Sequence, residues 1–201
     1  MKSKFVTAFA DYVDTLLHFV LLNFVFLVSC IPIITIGPAL ASLYQVTMRE
    51  ARNEHGYLVR YYWKCFKEML IQGMVTFLFL GAIIMAFLFS AAFWLRADYE
   101  FAVVALVLCY IGLLLATITF IYAFPLMARF SNTIWQTIKN AFLIGLSNGK
   151  FTFAMVVLHL FEISLVYLFA PVRVFMIVVG FAFFGYFNAI LFGRFLVKFE
   201  E

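Results

Sequence analysis

The stretch CIPIITIGPALASLYQVTMREAR, residues 30–52, decides the fold. It ends a long apolar run, contains Pro32, Gly37 and Pro38, and then continues with a polar residue at every third or fourth position. Positions spaced i, i+3, i+7 and i+10 lie on one face of a helix, and polar residues occupy them here: Ser42, Gln45, Arg49 and Arg52. The pattern predicts a helix whose first turn holds Pro38 and which lies along a membrane surface, with its polar face in water.

The composition predicts a membrane protein. Of the 201 residues, 67% are hydrophobic and only 12% are charged, and the mean hydropathy is +1.08. Such a chain has too little polar surface to cover a globule in water, so the expected partner for most of it is the lipid bilayer. The net charge of +4 comes from basic residues at the ends of apolar runs, so we expect no nucleic-acid partner.

Five apolar runs are long enough to cross a bilayer, which takes roughly 20 residues of helix. We predict spans at about 13–36, 69–95, 101–127, 151–170 and 174–192. The last two are separated only by Pro171, Val172 and Arg173, which predicts a tight helical hairpin. The expected fold is an all-α polytopic membrane helix bundle that forms one integral membrane domain over residues 1–201.

The basic residues predict the orientation of the bundle. Five spans place four lysines and arginines on one side (Lys2, Lys4, Arg96 and Arg173) and ten on the other. The side richer in lysine and arginine usually faces the cytoplasm. We therefore expect a bacterial cytoplasmic-membrane protein with its N-terminus outside, its C-terminus in the cytoplasm, and cytoplasmic loops at 37–68 and 128–150.

The two predicted loops resemble each other. After Pro125, polar residues again occur at i, i+3, i+7 and i+10. In addition, WKCFKEMLIQG at 63–73 corresponds to WQTIKNAFLIG at 135–145. These similarities predict a second cytoplasmic interfacial amphipathic helix and a parallel internal repeat of span, interfacial helix and span. The alternative is that any loop between two spans uses the same kinds of interfacial residue. The residues that repeat the polar spacing are Arg129, Asn132, Gln136 and Lys139.

Glu162 is the first candidate for a functional side chain, because a carboxyl group within an apolar run is costly unless it is paired or protonated. His159 lies one turn before it. A hydrogen bond from a neighbouring helix to a neutral Glu162 is the simpler interpretation. A transition-metal site is the alternative if these two residues converge with Asp11, Asp14 and His18; we expect neither metal nor cofactor.

Other residues within the spans indicate helix packing. Three lone amides are expected to make hydrogen bonds between helices: Asn23, Gln72 and Asn188. Three small residues at every fourth position allow another helix to approach, either within the bundle or in a homo-oligomer: Gly185, Ala189 and Gly193. The cysteines are expected to be buried thiols rather than disulfides: Cys30, Cys65 and Cys109.

Aromatic and basic residues gather just before the second predicted span. Rings that sit at the lipid headgroups, beside lysine and arginine side chains, form an ordinary membrane-interface belt. The alternative is a docking face for an anionic lipid or a cytoplasmic partner. The residues are Tyr57, Arg60, Tyr61, Tyr62, Trp63, Lys64 and Lys67.

Two motifs resemble the YesL family of small bacterial membrane proteins, domain of unknown function 624. They are SCIPIITIGPALASLYQVTMR at 29–49 and FPLMARFSNTIWQTIKNAF at 124–142. The resemblance implies a five-helix protein of the cytoplasmic membrane, typical of Gram-positive bacteria and often encoded among carbohydrate-uptake and glycan-degradation genes. It implies no catalytic residue. The positions that match the family's motifs are Pro32, Thr35, Gly37, Pro38, Ala39, Arg129, Asn132 and Lys139.

The sequence leaves two main hypotheses for function. The usual enzyme signatures, such as a P-loop, HExxH or GxSxG, are missing, so we expect a non-enzymatic protein. The first hypothesis is an accessory protein of a transport or signalling system, bound to a transporter permease or a membrane sensor kinase. The second is a small-solute carrier that uses the Pro-broken first helix and Glu162. The contact face expected for the first hypothesis consists of Arg49, Arg52, Arg129, Asn132 and Lys139.

Overall fold

The computed structural model describes residues 2–52, 54 and 56–199, and the side chains from residue 16 onwards within those ranges. The described residues form helices and connecting turns, with no strand. In chain order the helices are α1 (Lys2–Ser29), α2 (Ile36–Ala51), α3 (Leu58–Glu68), α4 (Leu70–Trp94), α5 (Ala102–Arg129), α6 (Ile134–Ser147), α7 (Gly149–Leu168), α8 (Ala170–Phe175) and α9 (Phe181–Leu196). Short 3₁₀ turns cover Ile33–Thr35 and Val197–Phe199, and a π-helical turn covers Met176–Gly180.

Four helices in the described part of the chain are long and apolar enough to cross a membrane. They are Leu70–Trp94, Ala102–Arg129, Gly149–Leu168 and the continuous run Ala170–Phe199, and Leu16–Ser29 is a shorter apolar helix. The predicted all-α membrane helix bundle is confirmed. The connection between the last two spans is shorter than expected, because only Phe169 separates α7 from α8 and Pro171 lies inside the first turn of α8.

The helix of the first predicted span, 13–36, ends earlier than expected, because α1 ends at Ser29. Pro32 precedes the 3₁₀ turn, and the chain becomes α-helical again at Ile36. The Thr35 hydroxyl donates hydrogen bonds to the carbonyl oxygens of Ser29, at 2.6 Å, and Pro32, at 2.7 Å. The Thr35 side chain therefore bonds the Ser29 carbonyl at the end of α1, and it adds to the backbone bond that the Thr35 N–H group donates to the Pro32 carbonyl at 3.0 Å.

The helix predicted after Pro38 is present as α2, and other helices enclose it more than was expected of a helix lying along a membrane surface. Ten of its sixteen residues are buried, and it packs against α1, α3, α4, α5 and α9. Ser42, expected on the wet face, is fully buried and donates to the Pro38 carbonyl at 2.7 Å. A hydroxyl that bonds to its own helix can be buried without an outside partner, so Ser42 does not need water, whereas Gln45 and Arg49 are half-buried and Arg52 is exposed.

The second interfacial helix also differs from the prediction. Pro125 lies inside α5, which continues to Arg129, and the next helix begins only at Ile134. Arg129 and Asn132 therefore do not share a helix with Lys139. Thr133 and Gln136 form a capping box that fixes the start of α6. The first connection contains two helices and the second only α6, so a parallel repeat would need α3 as an insertion in the first connection.

Two glycines allow α2 to cross α4 closely. A Cβ atom on Gly73 would lie 2.5 Å from the Pro38 nitrogen, and one on Gly37 would lie 2.6 Å from the Phe77 Cβ atom. Real Cβ contacts are essentially never this short. The backbone of α2 can therefore lie against α4 only because both positions lack a side chain.

Replacing Gly73 by alanine should force α2 away from α4. We expect Gly73→Ala to lower the free energy of unfolding by roughly 1–3 kcal/mol, the usual cost of overpacking, and to lower the thermal midpoint in detergent. Gly81→Ala is the matched control on the same helix, since nothing lies within 4 Å of its added Cβ. It should be neutral or stabilising by up to about 1 kcal/mol. Equal midpoints for the two variants would contradict the close crossing.

Candidate functional site

A cavity of about 690 Å³ separates α7 from α2 and α9. Only Thr152 and Met155 of α7 are buried, so the second half of α7 stands apart from the bundle and the space beneath it remains open. We call this space the Glu162 cavity. Its walls are formed by Phe26, Leu40, Leu43, Tyr44, His159, Glu162, Ile163, Val166, Tyr167, Arg173, Met176, Phe181, Phe184, Gly185 and Asn188.

Glu162 and Asn188 meet across this cavity. The Asn188 side-chain nitrogen donates to the Glu162 Oε1 atom at 3.0 Å, which ties α7 to α9. Asn188 is only 3% exposed, and its Oδ1 atom has no hydrogen-bond partner. A carboxyl group and an amide in apolar helices are expensive to bury unless they are bonded. The pair therefore places polar groups on the cavity wall, and only some of their hydrogen-bonding atoms have partners.

His159 and Arg173 also line the cavity, but both use donors within the protein. The His159 Nδ1 atom bonds to the Met155 carbonyl oxygen at 2.8 Å, so it carries the proton and Nε2 is the acceptor in a neutral ring. The Arg173 Nε atom donates to the Val166 carbonyl, and its Nη2 atom to the Tyr167 carbonyl. Arg173 thus satisfies carbonyls at the C-terminal end of α7.

The rest of the cavity wall is apolar and aromatic. Phe26 comes from the end of α1, Leu43 from α2, and Phe181 and Phe184 from α9. Phe26 also contacts Phe181, with ring centroids 5.5 Å apart. An apolar chamber with a few polar groups at one point is the usual form of a small-molecule site.

The alternative metal site is not assembled from the side chains that the structure describes. No group of three or more histidine, cysteine, aspartate and glutamate side chains lies close together among them. His18 is half-buried on α1 and does not line the Glu162 cavity. Asp11 and Asp14 lie outside the residues whose side chains are described.

The expected contact face is divided between two places. Arg52 and Arg129 line a cavity of about 300 Å³ together with Arg194 of α9, and the Arg52 Nε atom pairs with Glu54 Oε1 at 2.9 Å. Arg49 does not line this cavity, but its Nε atom lies 3.7 Å from Glu54 Oε2 and its guanidinium 4.4 Å from the Tyr61 ring centroid. The cavity therefore brings together two of the five predicted residues and adds Arg194, Glu54 links Arg49 to Arg52, and the sequence analysis did not single out Arg194.

The two remaining residues of that face lie beside α6. The Asn132 carbonyl oxygen accepts a hydrogen bond from the Gln72 side chain at 2.9 Å, and Lys139 is exposed on α6. Asn132 thus helps to join the second connection to α4.

The aromatic and basic cluster lies on α3, where a groove of about 700 Å³ is lined by Arg49, Arg60, Lys64, Lys67, Trp63, Tyr57, Tyr61 and Gly56. Tyr62 does not belong to this surface. It is fully buried, and its hydroxyl bonds to Ser29 at 2.5 Å. Cys65 lies on the same buried side of α3, where burial raises the pKa of its thiol to about 11.

Four motif residues have structural roles. Pro32 and Thr35 form the break after α1, and Gly37 and Pro38 form the crossing with α4. They position α2, and α2 supplies Leu40, Leu43 and Tyr44 to the Glu162 cavity.

The predicted small-residue face of α9 packs mainly against other helices of the same chain. A Cβ atom on Gly185 would lie 3.1 Å from Leu43 of α2, and Ala189 is fully buried, whereas Gly193 has open space around it. The three cysteines are free thiols, with Cys65 and Cys109 buried and Cys30 half-buried. The lone amides Asn23, Gln72 and Asn188 all bond to other helices or turns, as expected.

Residues 19–91 match the family described as "Protein of unknown function, DUF624". The comparison with curated proteins and the comparison with solved structures found no match. The matched residues include the first of the two motifs, with the break after α1, all of α2 and the Gly73 crossing. Residues 19–91 are therefore similar to DUF624, a family of unknown function, as the first motif indicated, and the second motif lies outside the matched residues.

Proposed function

We propose that this chain is a non-enzymatic bacterial membrane protein that binds a small solute in the Glu162 cavity and acts as its carrier. One observation supports this proposal above the others. A carboxyl group and a buried amide, Glu162 and Asn188, meet on the wall of a cavity within apolar helices. Polar side chains retained within a membrane are costly and are typical of substrate and ion pathways.

The backbone around the cavity also supports a carrier. The first apolar segment breaks after Ser29 and continues as α2, and α8 passes into a π-helical turn at Met176–Gly180. Phe26 and Met176, which lie close to these two irregular places, both line the cavity. Discontinuous helices near a central site are a recurring feature of membrane carriers.

A carrier cavity must admit water, and this can be tested with cysteine labelling. Leu43 lines the cavity, whereas Val46, one turn later on α2, is fully buried outside it. In a chain without native cysteines, we expect Leu43→Cys to react with a small hydrophilic thiosulfonate at least about tenfold faster than Val46→Cys, because reaction needs a solvated thiolate. Two equally unreactive cysteines would mean a dry interior and would reject the carrier.

We also propose the orientation with the N-terminus outside and the C-terminus in the cytoplasm, supported by the distribution of lysine and arginine. Asp98 and Lys198 are both exposed and lie on opposite sides under this proposal. In the same cysteine-free chain, a membrane-impermeant maleimide should label Asp98→Cys in intact cells and Lys198→Cys only after permeabilisation. The reverse pattern would invert the orientation, and labelling of both in intact cells would reject five spans.

The second candidate function is an accessory component of a carbohydrate transport or signalling system. It is favoured by the cavity in which Arg52, just after α2, comes together with Arg129 of α5 and Arg194 of α9. Arginines in such numbers suit an acidic surface of a partner, such as a transporter permease or a membrane sensor kinase. The carbohydrate connection comes only from the family resemblance.

The accessory function predicts a charge-dependent contact. We expect the double variant Arg52→Glu and Arg129→Glu to lose at least about tenfold of a co-expressed permease or kinase in affinity purification, because opposite charges across the contact become like charges. Arg96→Glu, in the exposed turn after α4, is the control and should retain the partner. If the double variant keeps the thermal midpoint of the parent and still retains the partner, the accessory function fails.

A further inference from the structure

The groove on α3 gathers four cationic side chains that the carrier function does not use. Arg49 comes from the last turn of α2, and the other three come from α3. Those three, Arg60, Lys64 and Lys67, are exposed and lie at i, i+4 and i+7, so they share one face of the helix. Like charges at this spacing repel each other. We call this surface the α3 groove, and its face is unfavourable unless an anion neutralises it.

The carboxylates of the chain do not neutralise this groove. In the part of the chain that the structure describes, the ion pair that reaches a groove residue is that of Glu54 Oε2 with Arg49 Nε, at 3.7 Å. None of the described carboxylates pairs with the three cations of α3. Glu68 is exposed at the end of the same helix but does not line the groove. The groove therefore carries an excess of positive charge.

The cations are presented by well-packed helices. The opposite side of α3 is buried, and the Tyr62 hydroxyl on that side bonds to Ser29 at the end of α1. The Arg49 guanidinium lies 4.4 Å from the centroid of the Tyr61 ring, which holds it beside α3. A binding site on rigid elements loses little freedom when a ligand binds. Arginine and lysine together are well suited to the oxygens of a phosphate group.

The groove lies at the level where the apolar surface of the protein begins. Helix α3 ends at Glu68, and the membrane-crossing helix α4 begins at Leu70. Ile71, in the first turn of α4, is 74% exposed. Two exposed aromatic rings, Tyr57 and Trp63, line the groove beside the cations, and such rings typically lie among lipid head groups. An anion in the groove would therefore lie where the phosphate of a bilayer lipid lies.

We propose that the α3 groove is a binding site for the head group of an anionic phospholipid. The phosphate is held by Arg49 from α2 and by the cationic face of α3, and the glycerol lies beside Trp63 and Tyr57. An ordinary interface belt attracts any anionic membrane surface, whereas this site also binds single lipid molecules in a neutral detergent. The site is separate from the Glu162 cavity, so its failure would leave the carrier proposal unchanged.

The test uses the full chain in dodecyl maltoside, because this detergent is uncharged. The thermal midpoint is titrated with dioctanoylphosphatidylglycerol, dioctanoylphosphatidylcholine, glycerol 3-phosphate and a hexaglutamate peptide. We expect the phosphatidylglycerol to raise the midpoint with at least about tenfold higher apparent affinity than each of the other three. An equal effect of phosphatidylcholine would remove the selectivity for an anionic head group. An equal effect of glycerol 3-phosphate would indicate a soluble phosphate ligand, and one of hexaglutamate an acidic protein segment; each result would overturn the lipid site.

A matched pair of double variants assigns the effect to the groove. Arg60→Gln with Lys64→Gln removes two exposed charges that repel each other, so we expect it to fold with at least the midpoint of the parent when no lipid is added. Its preference for phosphatidylglycerol should fall to about threefold or less. Lys139→Gln with Lys150→Gln removes two exposed charges outside the groove and should keep the preference.

Two results with the variants would also overturn the site. One is a folded groove variant that keeps the full preference for phosphatidylglycerol. The other is a control variant that loses as much preference as the groove variant, because the effect would then come from net charge alone. The comparison of the four probes on the parent chain needs no variant, so it decides the outcome even if the groove variant does not fold.

Discussion

The enclosure of α2 by other helices is the constraint on which the rest of the structure depends. Ala41, Tyr44 and Met48 on one side belong to the apolar core with α4, α5, α6 and α9. Ala39, Leu43 and Val46 on another side belong to a second core with the ends of α1 and α3. A single helix thus contributes to both cores, and glycine at positions 37 and 73 permits the close crossing with α4. Any change that displaces α2 would loosen both cores at once.

The same helix forms the floor of the Glu162 cavity. Leu43 packs against Gly185 of α9, and it also lines the cavity under α7. Since α7 has few buried residues of its own, the hydrogen bond between Glu162 and Asn188 is a main link across this side. A hydrogen bond between polar side chains in an apolar region promotes the association of two helices, so this bond joins α7 to α9 beside the cavity.

The sequence predicted the positions of the helices well and the contacts between the helices poorly. Apolar runs of about 20 residues carry a strong local signal, so the all-α bundle and the break at Pro32 could be predicted. The burial of α2 could not, because Ser42 and Thr47 look polar in sequence but bond to carbonyls of their own helix. The capping box at Thr133 was readable as Thr-x-x-Gln and was missed. The Glu162 and Asn188 pair joins residues 26 positions apart, which no local pattern reveals.

The irregular backbone near the cavity is explained by the polar residues that accompany it. A π-helical turn shifts the usual helical hydrogen bonds, and Asn23 compensates by donating to the Met176 and Ile177 carbonyls and accepting from the Ala182 N–H group. Thr35 does the same for the break after α1. Within a membrane such backbone is tolerated only where protein or a cavity supplies partners. The π-helical turn borders the Glu162 cavity through Met176, whereas the 3₁₀ turn after α1 contacts α4 and has residues 31–34 exposed.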